Sequence, residues 1–255
     1  MSLLKRLTQR WAKEEPPQFD AELQPDRPFF VVGDLHGQAA LLKDVLQWVD
    51  GRAHDARTPI VFVGDYVDRG PDSAGVLKQL RAYQEQSFRD VICLCGNHED
   101  MMLSFLDDPL TFGRVWFGNG GVETLKSFGV DTARGNLVGA QVTQTRDLLL
   151  KAMGDDLVDW IRALPVQWYS GNVSVVHAGA DPSRRMDAQD RNTLVWGHAD
   201  FLSSVRRDGR WVVHGHTIVP EVTVNDGRIA VDTGAYKTGN LAVVRIDHDE
   251  AAVFA

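Results

Sequence analysis

Short apolar runs, each closing on a polar residue that glycine usually flanks, recur along this chain. Phe29–Val32 leads into Gly33-Asp34, Ile60–Val63 into Gly64-Asp65, and Val91–Cys95 into Gly96-Asn97. Val173–Val176 leads directly into His177, and Trp211–Val213 into His214-Gly215-His216. Short runs rich in β-branched and bulky apolar residues predict buried strands. Between them the period changes. Leu41, Leu42, Val45, Leu46 and Val49 fall at helical spacing within Gln38–Val49. Ser73–Tyr83, Asp100–Leu106 and a long stretch over residues 144–163 read the same way. Toward the end, Val222–Val224, the turn Asn225-Asp226-Gly227 and Ile229–Val231 predict a hairpin, with a further strand over Leu241–Ile246. Helices alternating with strands early, then consecutive strands late, predict an α/β (α+β) fold with mixed sheets. The polar residues would sit just past the strand ends, where open α/β sheets bind ligands.

Residues 1–27 read as an N-terminal tail and linker, and residues 28–255 as a single domain. In the tail, Leu4, Leu7 and Trp11 share a helical face flanked by Lys5, Arg6, Arg10 and Lys13. Docking on the body or fraying is expected there, rather than contact with a membrane surface. The tail lacks the apolar core of a signal peptide, and no stretch is long enough to span a bilayer. The 255 residues suffice for a sizeable core without disulfides. Cys93 and Cys95 alternate around Leu94, which puts both thiols on one strand face, unpaired. A reducing, cytoplasmic setting is expected. The formal net charge of −8 argues against a nucleic-acid partner and for a local cationic pocket.

The residue types at the strand ends carry chemistry. Gly33-Asp34-Leu35-His36-Gly37 supplies a carboxylate and an imidazole. Gly64-Asp65-Tyr66-Val67-Asp68-Arg69-Gly70 supplies two carboxylates and a guanidinium, and Gly96-Asn97-His98-Glu99 an amide, an imidazole and a carboxylate. His177-Ala178-Gly179 and Gly215-His216-Thr217 add two imidazoles. A mixed oxygen and nitrogen set suits Mn²⁺, Fe or Zn²⁺ better than Mg²⁺ or Ca²⁺. The set exceeds what one ion needs. Two ions about 4 Å apart, sharing a carboxylate, would use it all and clamp an in-line displacement at phosphorus.

The blocks GDLHG, GDYVDRG, GNHE, HAG and GHT closely resemble the ordered signature of the phosphoprotein phosphatase family of metallophosphoesterases. Gly118–Leu125, with Val231–Ala235 and Gly239–Leu241, looks like its small bacterial and phage branch. The resemblance spans Phe29 to Ile246. It implies a metallophosphoesterase architecture, a central sandwich of mixed sheets flanked by helices. It also implies that Asp34 and His36 bind a first metal, that Asp65 bridges, and that Asn97, His177 and His216 complete the second. His98 would be the general acid, Asp68 its orienting carboxylate, and Arg69 the phosphate clamp, with Asn97 also meeting substrate. A hydroxide bridging two dications is a strong nucleophile at neutral pH, so no covalent intermediate is expected. Two ions, Mn²⁺ before Fe or Zn, are the expected cofactors.

One departure stands out. The bacterial branch carries a second phosphate-binding arginine after a tryptophan. Here Trp196-Gly197-His198 puts a histidine in that place. His198 would serve as a weaker substrate contact, unless Arg191, Arg206 or Arg207 folds in or the second clamp is missing. His214 reads as a packed histidine, and Tyr236 as either pocket lining or core. Trp116, Trp160, Trp168, Trp196 and Trp211 are too scattered for a base-stacking platform. Residues 107–145, with glycines at 113, 118, 120 and 121, have the length of a cover over the site. The expected activity is hydrolysis of a phosphoprotein or small phosphoester, with serine/threonine protein phosphatase as the main reading. The alternative is symmetrical dinucleoside polyphosphate hydrolysis. Relatives of that second kind resemble GDxVARG, so Asp68 favours the first.

Overall fold

Each strand end that the sequence marks as chemical lies at the carboxyl end of a parallel strand. The structure, a computed structural model, describes residues 19–52, 57–131, 139–248 and 250–253. The expected N-terminal helix lies outside the described residues. In the first sheet, β1 (Phe29–Val32), β2 (Ile60–Phe62) and β3 (Val91–Cys93) run parallel in that order. Two strands from the chain's end, β9 (Val243–Asp247) and β10 (Glu250–Val253), extend that sheet antiparallel beyond β1. In the second sheet, β4 (Gln167–Ser170), β5 (Val173–Val176), β6 (Trp211–His214), β8 (Arg228–Ala230) and β7 (Thr223–Asn225) lie side by side. Its three inner strands β5, β6 and β8 are parallel and its outer pairings antiparallel.

Alternation along the strands builds the layers. Phe29, Val31, Val61 and Val63 cluster with Val173, Val175, Val213 and Ile229, so the two sheets pack face to face. Phe30, Val32, Ile60 and Phe62 point the other way and pack under helices. Strands buried on both faces read as unbroken apolar runs, which is why they were visible in the sequence. Over the first sheet lie α1 (Ala39–Arg52) and α2 (Ser73–Gln86). Leu42, Val45 and Val49 of α1 and Val76, Leu77 and Leu80 of α2 face this core. Asp72 caps α2, accepting the Gly75 N–H at 2.7 Å. On the outer face of the second sheet Val176 and Val212 pack with Met186, Leu194 and Phe201.

Several elements differ from expectation. α3 begins at Asn97 and runs to Asp107, so the GNHE block opens a helix. Residues 107–131 form α4 (Pro109–Trp116), a π-turn (Phe117–Gly121) and α5 (Val122–Ser127), where a loop-like cover was expected. The long helical pattern divides into α6 (Ala140–Met153) and α7 (Asp155–Arg162) at Gly154, whose φ of 76° no right-handed helix contains. β4 escaped the sequence reading because its Gln167-Trp168-Tyr169-Ser170 run is polar and half exposed. The two-residue Gly171-Asn172 turn joining it to β5 was the available signal. The predicted C-terminal hairpin forms, with Asp226 and Gly227 both at positive φ as a type I′ turn requires. Residues 19–27 strap onto the second sheet: Phe19 meets Trp211 edge-on at 4.9 Å, and Gln24 exchanges hydrogen bonds with Asn172.

Leu94 lies fully buried between the sheets. Leu94→Ala should cost about 2–5 kcal/mol of stability, since the surrounding strands cannot collapse onto the void. Urea denaturation with an unchanged m-value would measure it.

Candidate metal centre and phosphate site

Strand ends deliver the ligands, but strained turns aim them. Among the described residues, six non-glycine residues have positive φ: His36, Asp65, Asp68, Arg69, His216 and Asp226. All but Asp226 belong to the expected site. Such conformations cost of order 1–3 kcal/mol each and persist only where surrounding bonds over-determine them. Glu99 is the main such restraint. Its fully buried carboxylate accepts backbone N–H groups from Asp65 (2.8 Å), Tyr66 (2.7 Å), Val67 (3.2 Å) and Gly96 (2.9 Å). Burial, then the Asp65 carboxylate, push its pKa up to about 8, against the pull of those donors. Glycine is required beside the ligands for a steric reason. A Cβ on Gly96 would run into the Asp65 carboxylate, and one on Gly215 into that of Asp34.

Two triads of ligand atoms converge, His36-Asp65-His98 and Asp65-His177-His216, each with its atoms within 4.8 Å of one another. Asp65 belongs to both. Asn97 Oδ1 lies 2.9 Å from His177 Nε2 and 2.8 Å from His216 Nδ1. Asp34 is buried beside them, its carboxylate accepting the His216 N–H at 3.0 Å. The six expected ligands therefore occupy one cluster.

The protonation pattern fits cations there. His36 Nδ1–H donates to Val67 O at 2.8 Å, and His177 Nδ1–H to Val63 O at 3.0 Å. Burial lowers both imidazoles to about 4, so each is neutral and carries a lone pair on Nε2. Those lone pairs face Asp65 oxygens at 3.5 and 3.3 Å, and that of His36 also accepts from Arg69 Nη1–H at 3.2 Å. Acceptor against acceptor is repulsive unless a cation lies between them. The carboxylates say the same. Burial raises the Asp34 pKa, with Asp232 and Asp65 adding to it, and burial brings Asp232 to about 6. Asp65 alone is held low, because the charged forms of three imidazoles pull against its burial. The donor set suits two divalent ions. The expected cationic pocket is thus an acidic one edged by Arg69, and bound metal would supply its positive charge.

Next to the triads stands a dyad. His98 Nδ1 lies 2.7 Å from Asp68 Oδ2, both groups buried. Burial works against the charged imidazole, but Asp65 and Asp68 outweigh it and raise its pKa. Asp68 is itself held by Trp116 Nε1–H at 3.0 Å and Thr124 Oγ1–H at 2.7 Å, while its N–H donates to Thr124 and Ser73. Arg69 N–H donates to Gly120 O. The 109–127 helices are thereby wired to the dyad. The sequence reading missed Glu99, Trp116, Thr124 and Asp232 as site residues, although each lies in or near a quoted block. Tyr236 does line the site, with Arg69 Nη1 donating to its hydroxyl at 3.4 Å.

His198 makes its contacts elsewhere. Its Nδ1 accepts the Asp200 N–H at 3.2 Å, and its Nε2 lies 3.8 Å from Asp181. It lines a cavity of about 730 Å³ with Ser203, Ser204 and Arg207. Arg206 is buried and engaged with Asp208 and the carbonyls of Asp181 and Arg184, and Arg191 binds Asp100. None of these hydrogen bonds or ion pairs, among the described residues, reaches the metal-ligand cluster.

Glu99→Gln would place an amide NH₂ against backbone donors. A loss of about 1–3 kcal/mol in metal-free stability is expected, and a steeper loss of Mn²⁺ affinity in titration, as Asp65 is released from its strained turn. Stability unchanged within error would mean that Glu99 does not hold that turn.

The comparisons agree with this geometry. Residues 27–220 match the calcineurin-like phosphoesterase family. A bis(5'-nucleosyl)-tetraphosphatase PrpE [asymmetrical] from Oceanobacillus iheyensis is 26% identical over 243 residues, covering 86% of this chain and 89% of its own. A symmetrical bis(5'-nucleosyl)-tetraphosphatase from Burkholderia mallei is 29% identical over 184 residues, covering 72% of this chain. This chain spans about half that relative's length (51%). In fold, it is similar to a structure assigned as a diadenosine tetraphosphatase, with a TM-score of 0.61 at 20% identity over 92% of this chain and 98% of the other. A cold-active protein tyrosine phosphatase gives a TM-score of 0.60 at 17% identity over 91% and 80%. The chain belongs to the calcineurin-like phosphoesterase family of metal-dependent phosphoester hydrolases.

Proposed function

We propose that this metallophosphoesterase hydrolyses dinucleoside polyphosphates. The observation that carries this reading is the near end-to-end match to the Oceanobacillus bis(5'-nucleosyl)-tetraphosphatase, seconded by the Burkholderia relative. It reverses the preference drawn from Asp68, because relatives with that activity match a chain that keeps GDYVDRG.

Asp34, His36 and Asp65 would hold one divalent ion, and Asp65, Asn97, His177 and His216 the other, Mn²⁺ suiting the set. When bound, the ions supply charge neutralisation and water activation. The chain's own groups do the rest. Arg69, at the rim and without a carboxylate within ion-pair distance among the described residues, grips the phosphoryl oxygens. His98, protonated because its pKa is raised, gives its proton to the leaving oxygen. Asp68 holds the ring by Nδ1, so that Nε2–H is the proton delivered.

Phosphoprotein hydrolysis is the second reading, and the His98–Asp68 dyad favours it. A serine alkoxide leaves poorly without a proton, whereas a phosphate leaving group with a pKa near about 6 leaves readily.

Metal-stripped protein reloaded with Mn²⁺ should cleave diadenosine tetraphosphate faster than a phosphoserine peptide. Chromatography of the products separates off-centre cleavage (AMP and ATP) from central cleavage (two ADP). His98→Asn should cost about 10²–10⁴ in kcat on the peptide and less on the dinucleotide. Faster peptide hydrolysis by the wild type would select the second reading instead.

The sign of the pH dependence follows from His98. Activity requires its protonated form, so kcat falls as pH rises through the raised pKa. Asp68→Asn withdraws one of the charges that raise it, which should move this alkaline limb to lower pH on the phosphopeptide. A limb that stays in place would assign the ionisation to another group.

A further inference from the structure

Beside the metal cluster, two cations share one aromatic ring. The Arg69 guanidinium carbon lies 5.1 Å from the Tyr236 ring centroid, and Lys237 Nζ lies 5.2 Å from the same centroid. The ring also packs edge-on against His36, at 5.1 Å between centroids, so the group borders the metal ligands directly. Tyr236 and Lys237 sit in the single helical turn Ala235–Thr238, which opens at Gly234 with φ 68°. Thr238 Oγ1–H donates to Thr233 O at 3.0 Å, and Thr233 Oγ1–H to Asn240 O at 2.9 Å, tying both ends of the turn. Neither cation has a carboxylate within ion-pair distance among the described residues, which sets Arg69 apart from most of the other arginines. In a chain of net charge −8, two cations gathered on one ring without an ion-pair carboxylate, one of them beside the buried ligand cluster, mark a place where an anion is to arrive.

One guanidinium is enough for a lone phosphoryl group. Lys237 lies beyond it, at most about 10 Å from Arg69 by way of the shared ring, within the reach of a chain of linked phosphates. We propose that Lys237, held on the Tyr236 ring beside Arg69, is the subsite for the phosphate next to the one being hydrolysed, and so sets a preference for polyphosphate chains over monoesters. This rests on the dinucleoside polyphosphate reading and names the residue that enforces it. The ring contributes by spacing. It carries both cations on its π-system, where they repel each other less than if they met directly. Lysine suits the distal position, because a flexible ammonium can follow a phosphate chain as a point charge while Arg69 fixes the reacting group in a planar fork.

The test compares wild type, Lys237→Ala and Lys237→Arg, each loaded with a fixed excess of Mn²⁺. KM is measured for diadenosine tetraphosphate and for p-nitrophenyl phosphate. Inhibition of p-nitrophenyl phosphate hydrolysis is measured with inorganic tripolyphosphate and with orthophosphate. Losing a charged contact to the distal phosphate should raise KM for the dinucleotide about tenfold or more relative to the monoester. It should weaken tripolyphosphate inhibition by the same factor relative to orthophosphate, and Lys237→Arg should recover most of both. If wild type cleaves the dinucleotide but Lys237→Ala changes neither ratio, the subsite is wrong and the activity stands. If wild type leaves the dinucleotide intact, the substrate reading fails. The inhibition ratio then decides the subsite alone: loss of tripolyphosphate preference in Lys237→Ala supports it, and its retention overturns it.

Discussion

The site is organised around a buried carboxylate that three imidazoles surround. Asp65 is almost fully shielded from water, with His36, His98 and His177 within 3.9 Å of its oxygens. Asp34 and Asp232 are buried nearby. Left alone, such a cluster faces electrostatic repulsion in a low-dielectric pocket. Two neutral histidines turn lone pairs rather than protons toward Asp65; Arg69 meets that of His36, and that of His177 deepens the conflict. A cation between these groups resolves it, and the rest of the local structure exists to hold the groups in place until one arrives.

That holding is done by backbone. The parallel strands β1, β2 and β3 of one sheet and β5 and β6 of the other end on one edge of the sandwich, which brings five separate sequence blocks together. Turns just past those ends take left-handed conformations at His36, Asp65, Asp68, Arg69 and His216. Glu99 makes the β2 turn affordable by accepting four of its amides or those beside it. The strain is thus placed where ligand direction matters and is restrained by a residue that itself lies on α3, beside Asn97 and His98.

The chemistry divides along leaving-group lines. On the proposed mechanism, the metal cluster and Arg69 would serve any phosphoryl transfer of this class, because they would meet the charge that every substrate brings. The His98–Asp68 dyad would matter in proportion to how poorly the departing oxygen carries charge. A fold shared with protein phosphatases and nucleotide hydrolases can therefore serve either, and on the reading proposed above Tyr236 and Lys237 at the rim would make the selection.

Sequence alone determined the candidate ligand types, their order, and their place after strands. These are local facts: an apolar run, a glycine where a carboxylate packs on the backbone, and a donor or acceptor next to it. It also showed the core helices α1 and α2, whose periodicity is plain. It did not show that residues 107–131 fold as helices against the site, or that Trp116 and Thr124 clasp Asp68 from 48 and 56 positions away. Neither did it place His198 beside Asp181, or show that Glu99, next to Asn97 and His98, restrains the Asp65 turn. Those outcomes depend on which face of a helix returns to which strand end. That is fixed by packing among all the layers at once, and no local pattern of residues encodes it.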